Sequence, residues 1–336
     1  MHDNQAQQKD MKKVIAVVMG GFSSERVISL KSGQQVFQNI DTAQFEPYLV
    51  DISTEGWHVL VDGEKIQVDK TDFSFMLYSE KKKFEAVFMA IHGEPGENGI
   101  LQGYFELMGV PYTTAPALQM ALTFEKAWCN KVLASYGVQV PPSYIFRKND
   151  KYNLDEIAAK FGFPLFVKPS QAGSSFGVSK VKSMTDFQKA IDHAFEFADL
   201  TIVERAIVGR EVTCGIVDFW GEATALPLTE IISHNEFFDF QAKYEGASDE
   251  VTPAQMDEKL VKRVQAAAVE AYTILGMRGM ARIDFIVEKD TPYLIELNTV
   301  PGLSEASIVP QQARAAGYDL KDFYSAALWS AINRKD

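Results

Sequence analysis

The chain has 336 residues, 46% hydrophobic and 23% charged, and carries a formal net charge of -12. At about 150 residues per domain, that length suggests two or three domains, and the composition suits a globular protein with a buried core. The acidic balance argues against a general nucleic-acid surface, which needs Lys and Arg to neutralise phosphates, while leaving room for a local basic pocket.

Residues 1–12 begin with the polar run MHDNQAQQKD, which lacks the apolar core of a secretory signal. They read as a disordered extension, with Met11 a candidate start of the fold. Residues 13–19 (KVIAVVM) are a β-branched apolar strand, followed by Gly20-Gly21 and an amphipathic helix expected from Ser23 or Ser24 to about Ile40. A second strand is expected over 46–52. A hairpin is expected over 57–68, because Asp62-Gly63 suits a two-residue turn. Residues 85–91 (EAVFMAI) form a further strand ending at His92-Gly93, with a helix over 99–108. Strands alternating with helices predict an open parallel sheet in this first third.

Residues 115–137 read as helical, and Pro141-Pro142 marks a boundary. Short strands and two helices (153–161 and 184–197) follow. Residues 231–253 are long and weakly periodic, the mark of a functional lid. A helix over 254–275, strands over 279–288 and 291–297, and helices near 307–316 and 319–333 complete the chain. No apolar run reaches the ~18 residues of a membrane span. Cys129 and Cys214 fit neither a metal spacing nor a disulfide framework, so a reducing cytosol is the simplest home.

Four segments and two further pieces carry candidate chemistry. In 163–181 (FPLFVKPSQAGSSFGVSKV), Lys168 lies on a strand before the small-residue loop Ala172-Gly173-Ser174-Ser175. Small side chains let backbone N–H groups approach phosphate oxygens, and Lys adds a point charge. The order is not that of a P-loop, and an ordinary hairpin with a solvated Lys is the competing account. In 281–307, Arg282 and Asp284 share a strand face, as do Glu296 and Asn298 on the next strand. If the strands are antiparallel, Asp284, Glu296 and Asn298 converge as hard oxygen ligands for Mg²⁺ bound with phosphates; a surface salt-bridge cluster with Arg282 is the alternative.

The Gly-rich turn in 19–33 lacks the glycine spacing of a dinucleotide fold. Glu25 either offsets the helix dipole or receives an ammonium group. In 92–99 (HGEPGENG), His92 and Glu97 lie beyond the carboxyl end of a strand, where ligands of open α/β sheets bind; a structural histidine is equally open. Residues 202–211 (IVERAIVGRE) read as strand, linker, strand. Their linker backbone suits an adenine edge, and Glu211 suits ribose hydroxyls. Lys243-Tyr244 lies in the lid. Surface decoration accounts for both equally well.

Together these motifs resemble the D-alanine–D-alanine ligase family of the ATP-grasp superfamily. GGFSSE…SLKSG, HGEPGENG, KPSQAGSSFGVSKV, AKY, RIDF and ELNTVPG run in that family's order from residue 14 to about 320. The resemblance implies an α/β, three-domain ATP-grasp ligase. Its parts would be an open-sheet N-terminal substrate domain (13–114), a central domain (115–212), and a C-terminal metal-binding domain (213–336) with lid 231–253.

The resemblance also implies roles. Lys126 and Lys168 would bind ATP phosphates, joined by Ser175 and Lys243; Glu204, Ala206, Ile207 and Glu211 would hold adenine and ribose. Asp284, Glu296 and Asn298 would bind two Mg²⁺, or Mn²⁺. Glu25 would hold the ammonium of the first D-alanine, with His92 and Glu97 nearby. Arg282 and the Gly302 backbone would stabilise the oxyanion, and Ser307 and Ile308 would face the second D-alanine. Glu25, Ser174 and Tyr244 would hydrogen-bond across three domains. Asn98 and Glu125 stand where the family commonly has Asp.

The implied activity is ATP-dependent joining of two D-alanines through an acyl phosphate for the bacterial cell wall. The protein is expected in the cytoplasm, as a homodimer, with small-molecule substrates and no nucleic-acid or membrane partner. Another ATP-grasp ligase, for example D-alanine–D-lactate, and a non-catalytic nucleotide-binding regulator are the alternatives.

Overall fold

In the computed structural model, residues 12–171, 176–233 and 248–334 are described. The apolar run opens the fold as β1 (Lys13–Gly20), buried from its third residue on. It pairs in parallel with β2 (Phe45–Ser53), which turns back into β3 (Gly56–Val61) and β4 (Glu64–Gln67). Asp62 and Gly63 at that hairpin have φ of 50° and 85°, the left-handed pair a two-residue hairpin requires. A small hairpin, β5 (Ser74–Leu77) and β6 (Glu80–Lys83), precedes β7 (Ala86–Met89). The first sheet runs β4-β3-β2-β1-β7. It is therefore mixed, with parallel β2-β1-β7 on one side and antiparallel β3 and β4 on the other, rather than wholly parallel.

Helix α1 spans Arg26–Asn39, two or three residues later than expected, so Glu25 stands at the cap position and not inside the first turn. Arg26, its first residue, ties the helix start to β2. Its Nη2 lies 2.8 Å from Asp51 Oδ2 and its Nη1 donates to the Ile52 carbonyl. Gly20 (φ 97°) makes room, since a Cβ there would lie 2.4 Å from Arg26 Nη1 and from Asp51 Oδ1. Helix α2 spans Ile100–Met108.

The expected single helix over 115–137 is two: α3 (Ala117–Phe124) and α4 (Lys126–Ser135), broken at Glu125 with φ -89°, ψ 84°. The break leaves the first amides of α4 free to bond Ser170, just past β9 (Leu165–Pro169). Lys126 N–H donates to the Ser170 carbonyl and Ala127 N–H to Ser170 Oγ. The second sheet is antiparallel, ordered β10 (Ser179–Val181), β9, β11 (Leu200–Arg205), β8 (Ser143–Arg147). Helices α5 (Leu154–Phe161) and α6 (Met184–Ala194) pack on it through Ile157, Phe187 and Ile191.

The third sheet runs β15 (Ser248–Val251), β14 (Thr229–Ser233), β12 (Arg210–Val217), β16 (Met280–Glu288), β17 (Thr291–Asn298), with β13 (Thr224–Ala225) also on β12. The stretch 231–253 is thus no unbroken loop: both its ends are strands, paired antiparallel from Glu230↔Val251 to Ser233↔Ser248. The following helix, α7 (Glu258–Ile274), starts later than residue 254, where the Asp257 side chain accepts from the Lys259 and Leu260 amides. Helices α8 (Ile308–Ala315) and α9 (Leu320–Asn333) close the chain. The buried positions Leu320, Phe323, Tyr324, Ala327 and Leu328 recur at helical spacing and bury one face of α9 in the cluster that holds Ile15, Val17, Phe45 and Phe88 of the first sheet.

Candidate active site

A cleft of about 530 Å³ is lined by residues of the second and third sheets and by α1 and the loop that follows β7 of the first. At its floor, β16 and β17 are antiparallel, with Arg282 opposite Asn298 and Asp284 opposite Glu296. The parity read from the sequence therefore brings these side chains to one face. Asp284 is held by two Arg282 nitrogens at 2.8 Å, by Thr213 Oγ1 at 2.6 Å and by Asn298 Nδ2 at 3.0 Å. Lys126 Nζ lies 3.6 Å from Glu296 Oε2. Among the described residues no three His, Cys, Asp or Glu side chains cluster as a self-sufficient metal site. Two carboxylates and an amide are the donor set of a hard cation that brings phosphate oxygens as its remaining ligands, so the residues fit Mg²⁺ bound together with a nucleotide.

Further along, Lys168 is buried on β9 with its Nζ 2.9 Å from Glu204 Oε2. The second oxygen of Glu204 is buried without a hydrogen-bond partner among the described residues. Ile207 and Glu211 line the cleft beside it; Ala206 is buried in the same linker but does not line it. This linker is fastened by a residue that sequence reasoning missed. Glu288 accepts two bonds from Arg205, each 3.0 Å, and one from Val208 N–H. A Cβ on Gly209 would come 2.0 Å from the Val287 carbonyl, so only glycine lets the linker pass β16.

The third wall comes from the start of α1 and the loop that follows β7. Glu25 lines the cleft at the start of α1. His92 and Glu97 line it too, but their polar atoms grip the protein. Glu97 accepts from Gly93 N–H at 2.7 Å and from Val300 N–H at 3.0 Å. Leu303 N–H donates to Ser32 Oγ, leaving the Ser32 hydroxyl to donate to His92 Nε2 at 2.8 Å; His92 Nδ1–H donates to the Val300 carbonyl at 2.7 Å. That tautomer follows from the network. Burial pushes the imidazole pKa down and keeps it neutral, as those bonds need. Both Val300 peptide groups are therefore fixed from the loop that follows β7, and with them the loop that carries Gly302. A Cβ at Gly302 would lie 2.8 Å from Ser307 Oγ. Ser307 and Ile308, at the start of α8, line the same end.

The cleft thus collects Glu25, His92, Glu97, Lys126, Lys168, Glu204, Ile207, Glu211, Arg282, Asp284, Glu296, Asn298, Gly302, Ser307 and Ile308. Ser174, Ser175, Lys243 and Tyr244 lie outside the described residues. Thr213, which bonds Asp284, was legible only through strand parity: it is two residues beyond Glu211 on β12.

An antiparallel sheet and a metal-suited β-hairpin enclosing two lysines define an ATP-grasp ligase. The family models for the D-ala D-ala ligase N-terminus and C-terminus match residues 14–115 and 132–328. The chain belongs to the D-alanine–D-alanine ligase family. It is 46% identical over 314 residues to the D-alanine–D-alanine ligase of Phocaeicola vulgatus, covering 93% of this chain and 97% of that one. It is 44% identical to the enzyme of Flavobacterium johnsoniae, covering 94% and 98%. Among solved structures, the VanG D-Ala:D-Ser ligase from Enterococcus faecalis superposes with a TM-score of 0.87 at 32% identity, covering 96% of this chain and all of that one. The Bacillus anthracis D-alanine–D-alanine ligase complexed with ATP gives 0.77 at 29%, covering 96% and 98%.

Proposed function

We propose that this protein joins two D-alanine molecules with ATP, through an acyl phosphate, to make the D-alanyl-D-alanine of peptidoglycan precursors. The observation that carries this is the single cleft in which an ammonium-binding candidate (Glu25), two phosphate-binding candidates (Lys126 and Lys168) and the Asp284/Glu296 pair face one another. Lys126 and Lys168 meet the phosphates. Glu204, Glu211 and the Ala206–Ile207 backbone hold base and ribose, and the unpartnered Glu204 oxygen suits a donor on the nucleotide. Asp284, Glu296 and Asn298 would hold Mg²⁺, one ion or two, with Mn²⁺ able to replace it. The metal supplies neutralisation of the charge that builds on the transferred phosphoryl group.

Glu25 orients the first D-alanine so that its carboxylate faces the phosphoryl group. Arg282 and the Gly302 amide receive the oxyanion formed when the second amine attacks, and Ser307 and Ile308 face that second D-alanine. His92 and Glu97 act by holding the Gly302 loop. Ser174, Ser175, Lys243 and Tyr244 complete the site in the same proposal. So do the division at residues 13–114, 115–212 and 213–336, a homodimeric assembly and a cytosolic setting; the last is supported by the buried free thiols Cys129 and Cys214.

The test is ADP release and product mass with ATP, Mg²⁺ and D-alanine, against L-alanine, D-serine and D-lactate. D-alanyl-D-alanine as main product is expected, with none from L-alanine. Nucleotide binding without turnover on any acceptor would overturn the proposal. Asp284→Ala should remove ligation by on the order of a hundredfold or more with the fold retained by circular dichroism; near-normal turnover at limiting Mg²⁺ would refute the metal assignment.

A further inference from the structure

We propose that Gln312 is a positioning residue for the acceptor end of the cleft, its side-chain amide standing in for a missing strand residue and so setting where the first turn of α8 lies. This rests on the functional reading above, in which Ser307 and Ile308 face the second substrate.

One edge of β12 is covered by β14 as far as Thr213 and by β13 from Ile216. Between them, the Thr213 carbonyl and the Gly215 N–H point to the same edge with no strand opposite. Gln312, fully buried on α8, fills that gap. Its Oε1 accepts from Gly215 N–H at 2.9 Å, and its Nε2 donates to the Thr213 carbonyl at 2.9 Å and to Thr229 Oγ1 at 3.1 Å. A carboxamide offers the same donor and acceptor as a peptide group, so the ladder continues through a side chain. A Cβ on Gly215 would lie 2.6 Å from Gln312 Oε1, so glycine is what lets the amide dock.

The same Thr213 that binds α8 by its carbonyl binds Asp284 by its hydroxyl. The Asp284 carboxylate and the acceptor-facing helix are therefore referenced to one residue. Gln312 itself does not line the cleft, whereas Ser307 and Ile308 do. The helix is continuous between them, with Gln311 N–H donating to the Ser307 carbonyl. A slip of one residue at Gln312 would shift that first turn by about 1.5 Å and rotate it by roughly 100°. Displacements of that size strongly impair reactions between positioned groups.

The test uses Gln312→Met, of similar length without the bonds, with ATP, D-alanine and D-serine as competing acceptors. The readout is the ratio of D-alanyl-D-alanine to D-alanyl-D-serine by mass spectrometry. Loss of folded enzyme scales both products equally and leaves the ratio alone. The ratio is expected to move by about threefold or more, with half-saturation by acceptor rising severalfold and by ATP changing less than about twofold. An unchanged ratio in an active variant overturns the proposal. If Gln312→Met does not fold, Gln312→Glu keeps the acceptor for Gly215 and loses the donor. If that fails too, Thr229→Val removes one of the three bonds. In each, an unchanged ratio refutes the inference. No dipeptide from the unmodified protein would instead take down the functional reading, and this inference with it.

Discussion

Lys168 and Glu204 are both nearly inaccessible, and each is the other's counter-charge at 2.9 Å. Removing one partner of a buried pair strands the other, a loss of about 3–5 kcal/mol. Lys168→Ala should therefore destabilise the nucleotide-free protein by that amount in urea and also weaken ATP binding. Lys168→Met with Glu204→Gln, set beside Glu204→Gln alone, separates the two effects: much of the stability should return, while ATP raises Tm far less in the double variant than in Glu204→Gln. Full ATP stabilisation of the double variant would show that Lys168 does not meet phosphate.

Glu97 differs in kind. Burial, then the charge of Glu25, raise its pKa from 4.5 to about 7, against the lowering effect of the Gly93 and Val300 amides. The folded protein therefore keeps a proton that the unfolded chain releases above about 4.5. Stability contributed by this group is complete below that pH and falls as pH rises to about 7. Glu97→Gln cannot titrate. Its Tm relative to the unmodified protein should improve progressively across that window, and a constant difference would refute the assignment.

Among the elements, α1 carries Glu25 into the cleft although its own sequence is only weakly amphipathic. Its four buried residues include Ser29, Ser32 and Gly33, which approach the sheet closely: a Cβ on Gly33 would lie 2.6 Å from the Met19 Cβ. Ser29 and Ser32 then reach the His92 amide and ring, so this face is chosen for polar contacts with the site as much as for apolar burial. The end nearest Glu25 is pinned by Arg26 to Asp51 and the Ile52 carbonyl. Asp51→Ala should cost about 1.5–3 kcal/mol, the range for a hydrogen bond to a charged group, and raise the D-alanine concentration needed at the first site more than at the second. Biphasic saturation kinetics would check this; equal changes at both sites would argue that the clamp does not act through Glu25.

Across the whole molecule, the chain's last long helix returns to its first sheet. Tyr324 of α9 packs edge-on against Phe88 of β7 at 5.5 Å between ring centres, and the C-terminal half of the chain thereby braces the sheet on which α1 packs. Tyr324→Ala should lower stability by about 3–5 kcal/mol, the usual loss for a buried aromatic ring. The Tyr324 hydroxyl is buried with no partner among the described residues, so Tyr324→Phe should equal or exceed the unmodified protein in a urea titration. A loss of about 1 kcal/mol in the Phe variant would show that the hydroxyl is bonded.

Local signals in the sequence were enough for β1, the Asp62-Gly63 hairpin and the face shared by Arg282, Asp284, Glu296 and Asn298. Strand parity and turn conformation depend on residues close together in the chain. The family motifs likewise named residues that line the cleft, Glu25, Lys168 and Gly302 among them, because each motif is a short contiguous run. Tertiary structure alone decided the break at Glu125, the late start of α1, the return of α9 to the first sheet, and the insertion of Gln312 into the third. In each of these, a hydrogen bond or an apolar face finds its partner on a distant segment. The pairing of Gln312 with Gly215 joins positions 97 residues apart, and no local pattern around either residue marks the other, since the gap that Gln312 fills exists only once β13 and β14 have taken their places beside β12.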